Sequence, residues 1–359
     1  MLQPELSVGF LIPSAYENTS SIWRKALMQA AELRKLGARA KIFSFSGKGT
    51  DQLPDHVHLP LNGGGWFAKE RQLAALIDKM RVEGITAAYL RRELWHPCYR
   101  KLMSSIATVA EVNSDERAEF KLTMSLPRRV YATLTAGHWR KFPSGYACVT
   151  NDLTACIPKD KEFAVISNGI LNAVQVPPAS TEKPHIVFSA TGEYAWHGKD
   201  KFVAMARLFP EWDFSFIGDL SDELRQQTPA NLKIHGRLPA AEADRLLLSG
   251  NIGVGTLAFH RMGMKEASIL KVRSYMAAGL PTIIAYKDTD FSNGFDFICE
   301  ISNTEDNIVR DKEKIRSFVL ANYKRRIPWE QVKFASESEK ARLRYDLLQR
   351  AVVWKKNGR

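Results

Sequence analysis

The sequence has no long apolar segment. No run of apolar residues approaches the roughly 20 that a membrane-spanning helix requires. The start of the chain also lacks a basic stretch followed by an apolar core, and Glu5 precedes the first apolar segment. We therefore expect neither a transmembrane protein nor a secreted one, but a protein of the cytoplasm or of the inner face of the cell membrane.

Cysteine is scarce and unpatterned. The four cysteines, Cys98, Cys148, Cys156 and Cys299, are scattered and show no CxxC spacing. Reduced thiols are expected, with neither a disulfide framework nor a metal site. A GxGxxG sequence is also missing, so nothing argues for a dinucleotide cofactor.

The composition is that of a globular protein, with 45% apolar and 25% charged residues. At 359 residues the chain exceeds one ordinary core, so two domains are expected. Lysine and arginine number 51 against 39 acids, a net charge of +12. The excess suits nucleic acid, an anionic membrane surface or phosphorylated substrates, but it also suits a basic enzyme with no such partner.

The first residues predict a strand–helix–strand unit. Residues 6–13 form an apolar strand, residues 21–36 have helical periodicity, and residues 38–45 form a second strand after Gly37. This order is typical of a Rossmann-like domain with a parallel sheet.

A second unit of this kind, residues 251–285, carries a cluster of charged residues. Residues 252–255 predict a buried strand, a charged loop follows, and a helix is expected from Ser268 to about Gly279. Ligands of open parallel sheets lie where strands pass into helices, and a helix N-terminus attracts anions. Glu266 and Lys271 therefore suggest a ligand that carries both hydroxyl and phosphate groups.

The sequence of this stretch resembles that of the family 4 glycosyltransferases, which have the GT-B fold and share a motif close to GMxEASPLKVREYxAxGLPVI. Here it reads GMKEASILKVRSY from Gly263 to Tyr275, followed by Gly279-Leu280-Pro281. Ile269 replaces a frequent proline. Ser274 replaces the second glutamate of the family's pair, the residue expected to hold the nucleotide ribose.

Further resemblances occur in the family's order. Residues 89–91 match a YLR strand, residues 108–116 match VxEINTxDxxEYK, residues 146–153 match GFVxVTxEL, and residues 165–170 match VIPNGI. A WHG loop at 196–198 and a strand at 213–219 resemble the family's donor-binding domain. The matches extend from about Tyr89 to Ala285.

The resemblance implies a GT-B fold, with two Rossmann-like domains that face each other across a cleft. We expect an N-terminal acceptor domain at 1–168, a nucleotide-sugar donor domain at 169–327 after a proline-rich connector (176–184), and a helical tail at 328–359. As in that family, the last helix is expected to cross back to the first domain.

The resemblance also implies a donor site. Glu266, as ligand of the sugar hydroxyls, and Lys271, as ligand of the diphosphate, are the expected catalytic residues; a helix-end carboxylate and a solvated lysine are the alternatives. One of His197, Lys199 and Lys201 is expected to meet the diphosphate, and His260 and Arg261 flank the site or are simply exposed. The other expected donor-binding residues are Gly192, Gly263, Met264, Ala267, Ser268, Ile269, Leu270 and Ser274. The transfer implied needs no metal and no cofactor.

The first domain offers acceptor-side candidates. Tyr16 lies in the loop after the first strand, and Asn113 and Asp115 follow a later strand. The two polar residues bind sugar or acceptor, or they cap the loop. Many relatives have a histidine near this point, and none stands here, so no catalytic base is inferred.

Residues 128–142 interleave cations with aromatics. The segment suits an anionic membrane surface, whereas nucleic acid is disfavoured because no nucleic-acid-binding motif accompanies it. The third alternative is an amphipathic helix that packs on its own domain.

Together these features predict a metal-independent, retaining glycosyltransferase. It would move a sugar from a nucleotide-diphosphate sugar to a glycan or lipid-linked acceptor in surface polysaccharide synthesis. The alternatives are a nucleotide-sugar epimerase of the same fold and a basic binding protein on an inactive transferase scaffold.

Overall fold

The computed structural model describes residues 5–17, 20–171, 173–174, 177, 181–292 and 294–358, without the side chains of residues 21, 116–118 and 121. The chain divides into two compact units. The first comprises Met1–Ser167 and Glu337–Arg359, and the second is Asn168–Ser336. The second unit thus extends nine residues beyond the predicted limit of 327. Residues 176 and 178–180 of the expected connector lie outside the described part.

Strands and helices alternate along most of the described chain. The strands are β1 Ser7–Ala15, β2 Arg39–Phe45, β3 His56–Leu59, β4 Ala87–Arg91, β5 Ala107–Val112, β6 Gly145–Cys148, β7 Glu162–Val165, β8 His185–Ser189, β9 Asp213–Ile217, β10 Leu232–Ile234, β11 Ile252–Val254, β12 Glu266–Ala267, β13 Thr282–Ile284, β14 Lys287–Asp288 and β15 Ile298–Glu300. The helices are α1 Ser21–Lys35, α2 Trp66–Val82, α3 Cys98–Ser105, α4 Glu116–Thr123, α5 Leu126–Lys141, α6 Lys199–Leu208, α7 Asp222–Gln226, α8 Ala240–Ser249, α9 Leu270–Ala277, α10 Asn307–Arg310, α11 Lys312–Asn322, α12 Trp329–Val332 and α13 Glu337–Lys356.

The first unit is built on a seven-stranded sheet of order β3-β2-β1-β4-β5-β6-β7, and every pair is parallel. Its central strands β4, β5 and β6 are buried on both faces because helices cover both. The last helix, α13, belongs to this unit: Leu347, Leu348 and Ala351 pack into the cluster that contains Val8 and Phe10. The predicted tail therefore ends on the first domain.

The second unit has a six-stranded sheet of order β10-β9-β8-β11-β13-β15, again parallel throughout. The strand order reverses between β8 and β11. In open parallel sheets this switch point opens a crevice at the carboxyl ends of the two strands, and ligands bind there. Both units are thus Rossmann-like, as the sequence predicts.

Two local expectations are corrected. The helix expected from Ser268 begins at Leu270, because Ile269 has extended backbone angles (φ −95°, ψ 126°) and caps it. Glu266 and Ala267 form β12, which pairs with β14. The predicted helical tail consists of α12, a 3-10 turn and α13.

Two further properties concern the chain as a whole. All four cysteines are free, and only Cys156 is exposed. Among the described helices, none combines the length and apolarity that crossing a membrane would need.

Candidate functional site

The candidate donor site lies at the switch point of the second unit. The loop after β8 and the loop after β11 are joined there by backbone hydrogen bonds, from Leu257 N to His197 O (3.1 Å) and from Ala258 N to Trp196 O (3.3 Å). Gly198 permits this approach: its φ is +72°, and a Cβ there would lie 2.8 Å from the Leu257 Cβ. Glycine at 198 is thus required by sterics.

Lys271 is the second residue of α9, and its side chain turns inward. Its Nζ is shielded from solvent and has no hydrogen-bond partner among the described residues. It lies 4.6 Å from the centre of the Phe188 ring. Burial, and secondarily the charge of Lys199, lowers the pKa of Lys271 to about 7. A solvated helix lysine is therefore the wrong description.

His197 and Lys199 share this neighbourhood. Burial, together with the charges of Lys271 and Lys199, lowers the pKa of His197 to about 3, so the ring is neutral. Its Nδ1 has no partner in the described structure. Lys199 donates to Glu193 Oε1 (3.0 Å) and to the carbonyl oxygen of Asp219. An anion here would meet a neutral imidazole and two ammonium groups.

Lys201 and the loop cations have other partners. Lys201 Nζ donates to the Thr304 carbonyl (3.2 Å) and pairs with Glu305 (3.0 Å). Arg261 is held by Asp200 (2.7 Å) and Glu305 (2.7 Å), and His260 Nε2 lies 3.0 Å from Glu305 as well. These three groups are engaged by carboxylates, and Lys199 is likewise paired with Glu193 (3.0 Å), so Lys271 and His197 are the better candidates for a diphosphate.

Glu266 precedes helix α9 instead of belonging to it. It lies in β12 and is 3% exposed, so the helix-end carboxylate is not the arrangement observed. Ala267 beside it accepts a hydrogen bond from Thr289 N (3.1 Å) through its carbonyl. The short β12–β14 pair thus fixes the backbone at the carboxylate.

Ser268 is used within the protein. Its Oγ accepts hydrogen bonds from Asn168 N (2.8 Å) and Arg273 Nη2 (2.9 Å). Arg273, which is 1% exposed, also bonds Asp288 (2.9 Å) and Asp290 (2.8 Å). The serine and arginine of the motif therefore hold the loop, and the sequence did not single out Arg273.

The remaining predicted donor residues shape the loops. Gly192 (φ +79°) and Gly263 (φ +68°) occupy left-handed turns, and the Met264 carbonyl accepts a hydrogen bond from Asn303 (2.9 Å). Leu270 is half-buried and opens α9 after the cap residue. Ser274 is exposed on α9, and its Oγ donates to the Leu270 carbonyl (3.4 Å).

Residues outside the motif hold the site together. Asn303 Oδ1 accepts from His260 N (2.7 Å), and Asn307 Nδ2 donates to the Leu257 carbonyl (2.9 Å). Buried Tyr275 accepts a hydrogen bond from Ser189 N (3.1 Å), which fastens α9 to β8. The polar run 303–307 directly after β15 was the available signal for the two asparagines.

The acceptor-side candidates lie in the first unit and are less concentrated. Asn113 donates to Glu111 Oε1 (2.8 Å), and Glu111 also binds Lys25 Nζ (2.7 Å). Asp115 is exposed, and its carbonyl accepts from Glu119 N (3.0 Å) at the start of α4. Loop capping therefore accounts for its backbone.

Tyr16 is half-buried, and its ring lies nearly perpendicular to that of Trp23, with 5.1 Å between the ring centres. A buried polar network below Asn113 was not predicted. Tyr89 donates to Glu111 Oε2 (2.7 Å), and the pKa of Glu111 falls to about 2 because the charge of Lys25, its hydrogen bond and those of Tyr89 and Asn113 outweigh the opposing burial. This carboxylate is ionised and fully engaged.

The basic–aromatic segment 128–142 forms most of α5, and its aromatics are buried or half-buried. Trp139 is buried, Tyr131 donates to the Trp95 carbonyl (3.0 Å), and Phe142 stacks on Trp95. These contacts agree with the alternative of a helix that packs on its own domain, and a membrane role of this segment stays a prediction.

In the described part of the chain, no three histidine, cysteine or acidic residues cluster in a way that could hold a metal ion. No protein-family model and no curated protein sequence matches the chain. Solved structures, by contrast, are similar to it over nearly its whole length.

The chain is similar to WaaG, a glycosyltransferase involved in lipopolysaccharide biosynthesis, with a TM-score of 0.59, 11% identity and coverage of 98% and 99% of the two chains. It is similar to a UDP-GlcNAc 2-epimerase from Neisseria meningitidis bound to UDP-GlcNAc, with a TM-score of 0.54, 12% identity and coverage of 96% of this chain and 99% of that one. It is also similar to an α-glucosyltransferase in complex with UDP and a 13-mer DNA, with a TM-score of 0.56, 10% identity and coverage of 96% of this chain and 95% of that one.

These likenesses define the class of fold. The chain has the GT-B fold, which is shared by glycosyltransferases and nucleotide-sugar epimerases. At such identities the comparison settles the architecture alone, and the reaction has to be argued from the site.

Proposed function

We propose that the protein is a retaining glycosyltransferase that uses a nucleotide-diphosphate sugar. The observation that carries this proposal is the buried ammonium group of Lys271, which has no acceptor among the described residues. Leaving such a donor without a partner is costly, and an anionic ligand would supply the acceptor. Its place at the start of α9, beside His197 and Lys199, suits a diphosphate.

The chemistry required is charge stabilisation. The bond between the anomeric carbon and the diphosphate oxygen breaks, and negative charge accumulates on the leaving diphosphate. Lys271 and the N–H groups at the start of α9 oppose that charge. The acceptor oxygen forms the new bond to the anomeric carbon, and its proton passes to an oxygen of the departing phosphate. No protein nucleophile is needed.

Glu266 is the proposed ligand of the sugar hydroxyls. Its carboxylate is buried, and its backbone is fixed by the pairing of β12 with β14, so it is suited to orient a sugar ring. Asn113, Asp115 and Tyr16 are proposed for the sugar or acceptor side. The retaining course follows the resemblance of residues 263–281 to family 4 enzymes.

We further propose a glycan or lipid-linked glycan as acceptor, in surface polysaccharide synthesis at the inner face of the cell membrane. The proposal draws on the family resemblance and on the likeness to a transferase of lipopolysaccharide biosynthesis. Neither a metal nor another cofactor is part of the proposed reaction.

The first test is a thermal-shift screen against UDP, GDP, ADP and their sugars. A ligand present at 100 times its Kd adds roughly 2.7 kcal/mol of stability, enough to raise the melting temperature measurably. Calorimetry on wild type and Lys271→Met then checks the site. If no nucleotide or nucleotide sugar shifts the melting temperature, the proposed function is wrong.

A nucleotide-sugar epimerase is the second candidate, because the same fold occurs in an enzyme of that class. The two differ in their need for an acceptor. The donor is therefore incubated with and without an acceptor extract, and the products are separated. Epimerised nucleotide sugar without an acceptor identifies the epimerase, whereas transfer only with acceptor identifies the transferase. Nucleotide binding without turnover in either condition would indicate a binding protein on a transferase scaffold.

A further inference from the structure

The excess of cationic over acidic residues lies almost entirely in the first unit. The first unit contains 30 lysines and arginines against 19 acids, whereas the second contains 21 against 20. A nucleotide-sugar site in the second unit therefore does not account for the excess. The first unit is the one expected to meet an extended anionic partner.

Helix α5 presents an apolar stripe to solvent on that unit. Leu126, Val130 and Leu134 are 64%, 51% and 76% exposed. Their spacing of four residues places them on one side of the helix, opposite the side that buries Trp139. Single exposed leucines are ordinary, but a row of three on one helix face is not.

Two further apolar side chains are exposed on helices that contact α5. Leu122, at the end of α4, is exposed, and Phe67 on α2 is 79% exposed. Phe67 lies close to α5, because its neighbour Trp66 contacts the ring of Tyr131 at 6.2 Å between centres. Exposed apolar side chains are therefore present on α2 and α4 as well as on α5.

Cations stand at the end of the same helix. Arg140 and Lys141 are exposed, and neither makes an ion pair with a described residue. Lys161 adds a third positive charge, since its Nζ donates to the Lys141 carbonyl (3.0 Å). The sequence of α5 contains no aspartate or glutamate. Nothing on the helix itself neutralises these charges.

We propose that this surface docks on an anionic lipid bilayer. The docking surface is defined by Phe67, Leu122, Leu126, Val130 and Leu134 together with Arg140 and Lys141. Apolar side chains would enter the boundary between headgroups and acyl chains while the cations contact anionic headgroups. The proposed function gives the reason for visiting a membrane, and the docking itself is measured without any transfer reaction.

Two other partners fit the surface less well. A nucleic acid attracts the cations but offers no burial for a row of leucines. A second copy of the chain could bury the leucines but would bring two basic surfaces together. Only an anionic bilayer satisfies both the apolar and the charged part.

The attachment is expected to be reversible. Exposed charges are screened beyond about 8 Å at physiological ionic strength, so the charged share of binding falls with added salt. The apolar share persists. Binding to vesicles should therefore weaken with salt without vanishing, in contrast to binding that is purely electrostatic.

The test is co-sedimentation of the full chain with vesicles that contain about 30 mol% phosphatidylglycerol in phosphatidylcholine, at low and high salt. The apolar variant is Leu126→Gln, Val130→Gln and Leu134→Gln, which all change exposed side chains. Its matched control replaces three exposed apolar residues elsewhere, Val82→Gln, Val309→Gln and Leu320→Gln. We expect the apolar variant to bind at least about tenfold more weakly and the control to bind like wild type.

The charge variant is Arg140→Gln with Lys141→Gln, and its control is Lys233→Gln with Lys287→Gln in the second unit. The charge variant should lose most of the salt dependence. Wild type that stays in the supernatant, or an apolar variant that sediments like wild type, overturns the proposal. A duplex DNA that binds wild type and apolar variant equally, while vesicles bind neither, would assign the surface to nucleic acid. Because vesicle binding requires no nucleotide, these outcomes are independent of the thermal-shift screen.

Discussion

The Nζ of Lys271 lies 4.6 Å from the centre of the Phe188 ring. The ring face attracts the cation but cannot accept the three hydrogen bonds that an ammonium group donates. No other acceptor among the described residues reaches this Nζ. The lysine is thus held at the carboxyl end of β8 with its hydrogen bonds unmade, which prepares it for an anion.

Lys271→Met should reduce turnover on the order of 100-fold or more, because a group that opposes the charge of the leaving diphosphate is lost. Glu266→Ala should cause a loss of the same order through the orientation of the sugar. Lys233→Met, which changes an exposed lysine of the same unit, is the control and should turn over normally. Steady-state kinetics on folded, purified variants decides, and near-normal turnover of the first two would exclude this site assignment.

Binding of a nucleoside diphosphate should depend on pH through Lys271. The pKa of Lys271 in the ligand-free protein is about 7. An anion beside it favours the charged form, so ligand binding takes up a proton. Affinity should therefore fall as pH rises from 7 to 9, by at most about tenfold per pH unit. Calorimetry in two buffers of different ionisation enthalpy measures the proton uptake.

Lys271→Arg provides the control for this pH dependence. Arginine keeps its charge throughout this range, so the slope should flatten while binding persists. Equal slopes in wild type and Lys271→Arg would show that a different group titrates. In the ligand-free protein the low pKa makes unfolding free energy rise with pH above about 7, since the unfolded chain then binds the extra proton.

The motif around Lys271 could be read from the sequence, but the roles within it could not. Helix spacing and the glycine–proline stop placed α9 to within two residues. The inward turn of Lys271 depends on Phe188, some eighty positions earlier, and no local pattern reveals such a contact. Ser268 is one of the predicted donor-binding residues, and its sequence context does not reveal that Asn168 and Arg273 bind its hydroxyl.

The three residues expected to bind the diphosphate show the same limit of prediction from the sequence. His197, Lys199 and Lys201 are close in sequence, and only their partners separate them. Lys201 pairs with Glu305, a residue from a strand connection about a hundred positions later. In α5, interleaved aromatics suggested an outward face, whereas helical phase turns Trp139 inward and Leu134 outward. A count of residue types along a segment does not give that phase.

Arg273→Met should lower the free energy of unfolding by about 3–5 kcal/mol. The substitution leaves Asp288, which is fully buried, without its cation, and it also breaks the bonds to Asn168 and Ser268. Denaturant unfolding of the full chain measures the change. The control is Arg325→Met, which breaks an exposed pair with Asp296 and should cost less than about 1 kcal/mol. Similar losses in both variants would show that burial does not set the strength of the Arg273 pair.

Ser274→Glu should tighten binding of a nucleoside diphosphate by about 1 kcal/mol. Ser274 is exposed on α9, and its hydroxyl donates only to the carbonyl of its own helix, so a longer side chain can be placed without disturbing the core. A carboxylate accepts hydrogen bonds from both ribose hydroxyls, whereas serine reaches less far with one oxygen. The substitution restores the glutamate that the family 4 pattern has at this position.

Calorimetry with the nucleoside diphosphate found in the thermal-shift screen measures this gain. Ser274→Gln serves as the control: it has the length of glutamate without the charge, and it should recover only part of the effect because a neutral acceptor forms the weaker hydrogen bond. A gain seen with diphosphate nucleotides but not with inorganic pyrophosphate would locate the new contact at the ribose. If Ser274→Glu binds the nucleoside diphosphate no more tightly than wild type, another residue already holds the ribose. The serine at position 274 then does not weaken nucleotide binding.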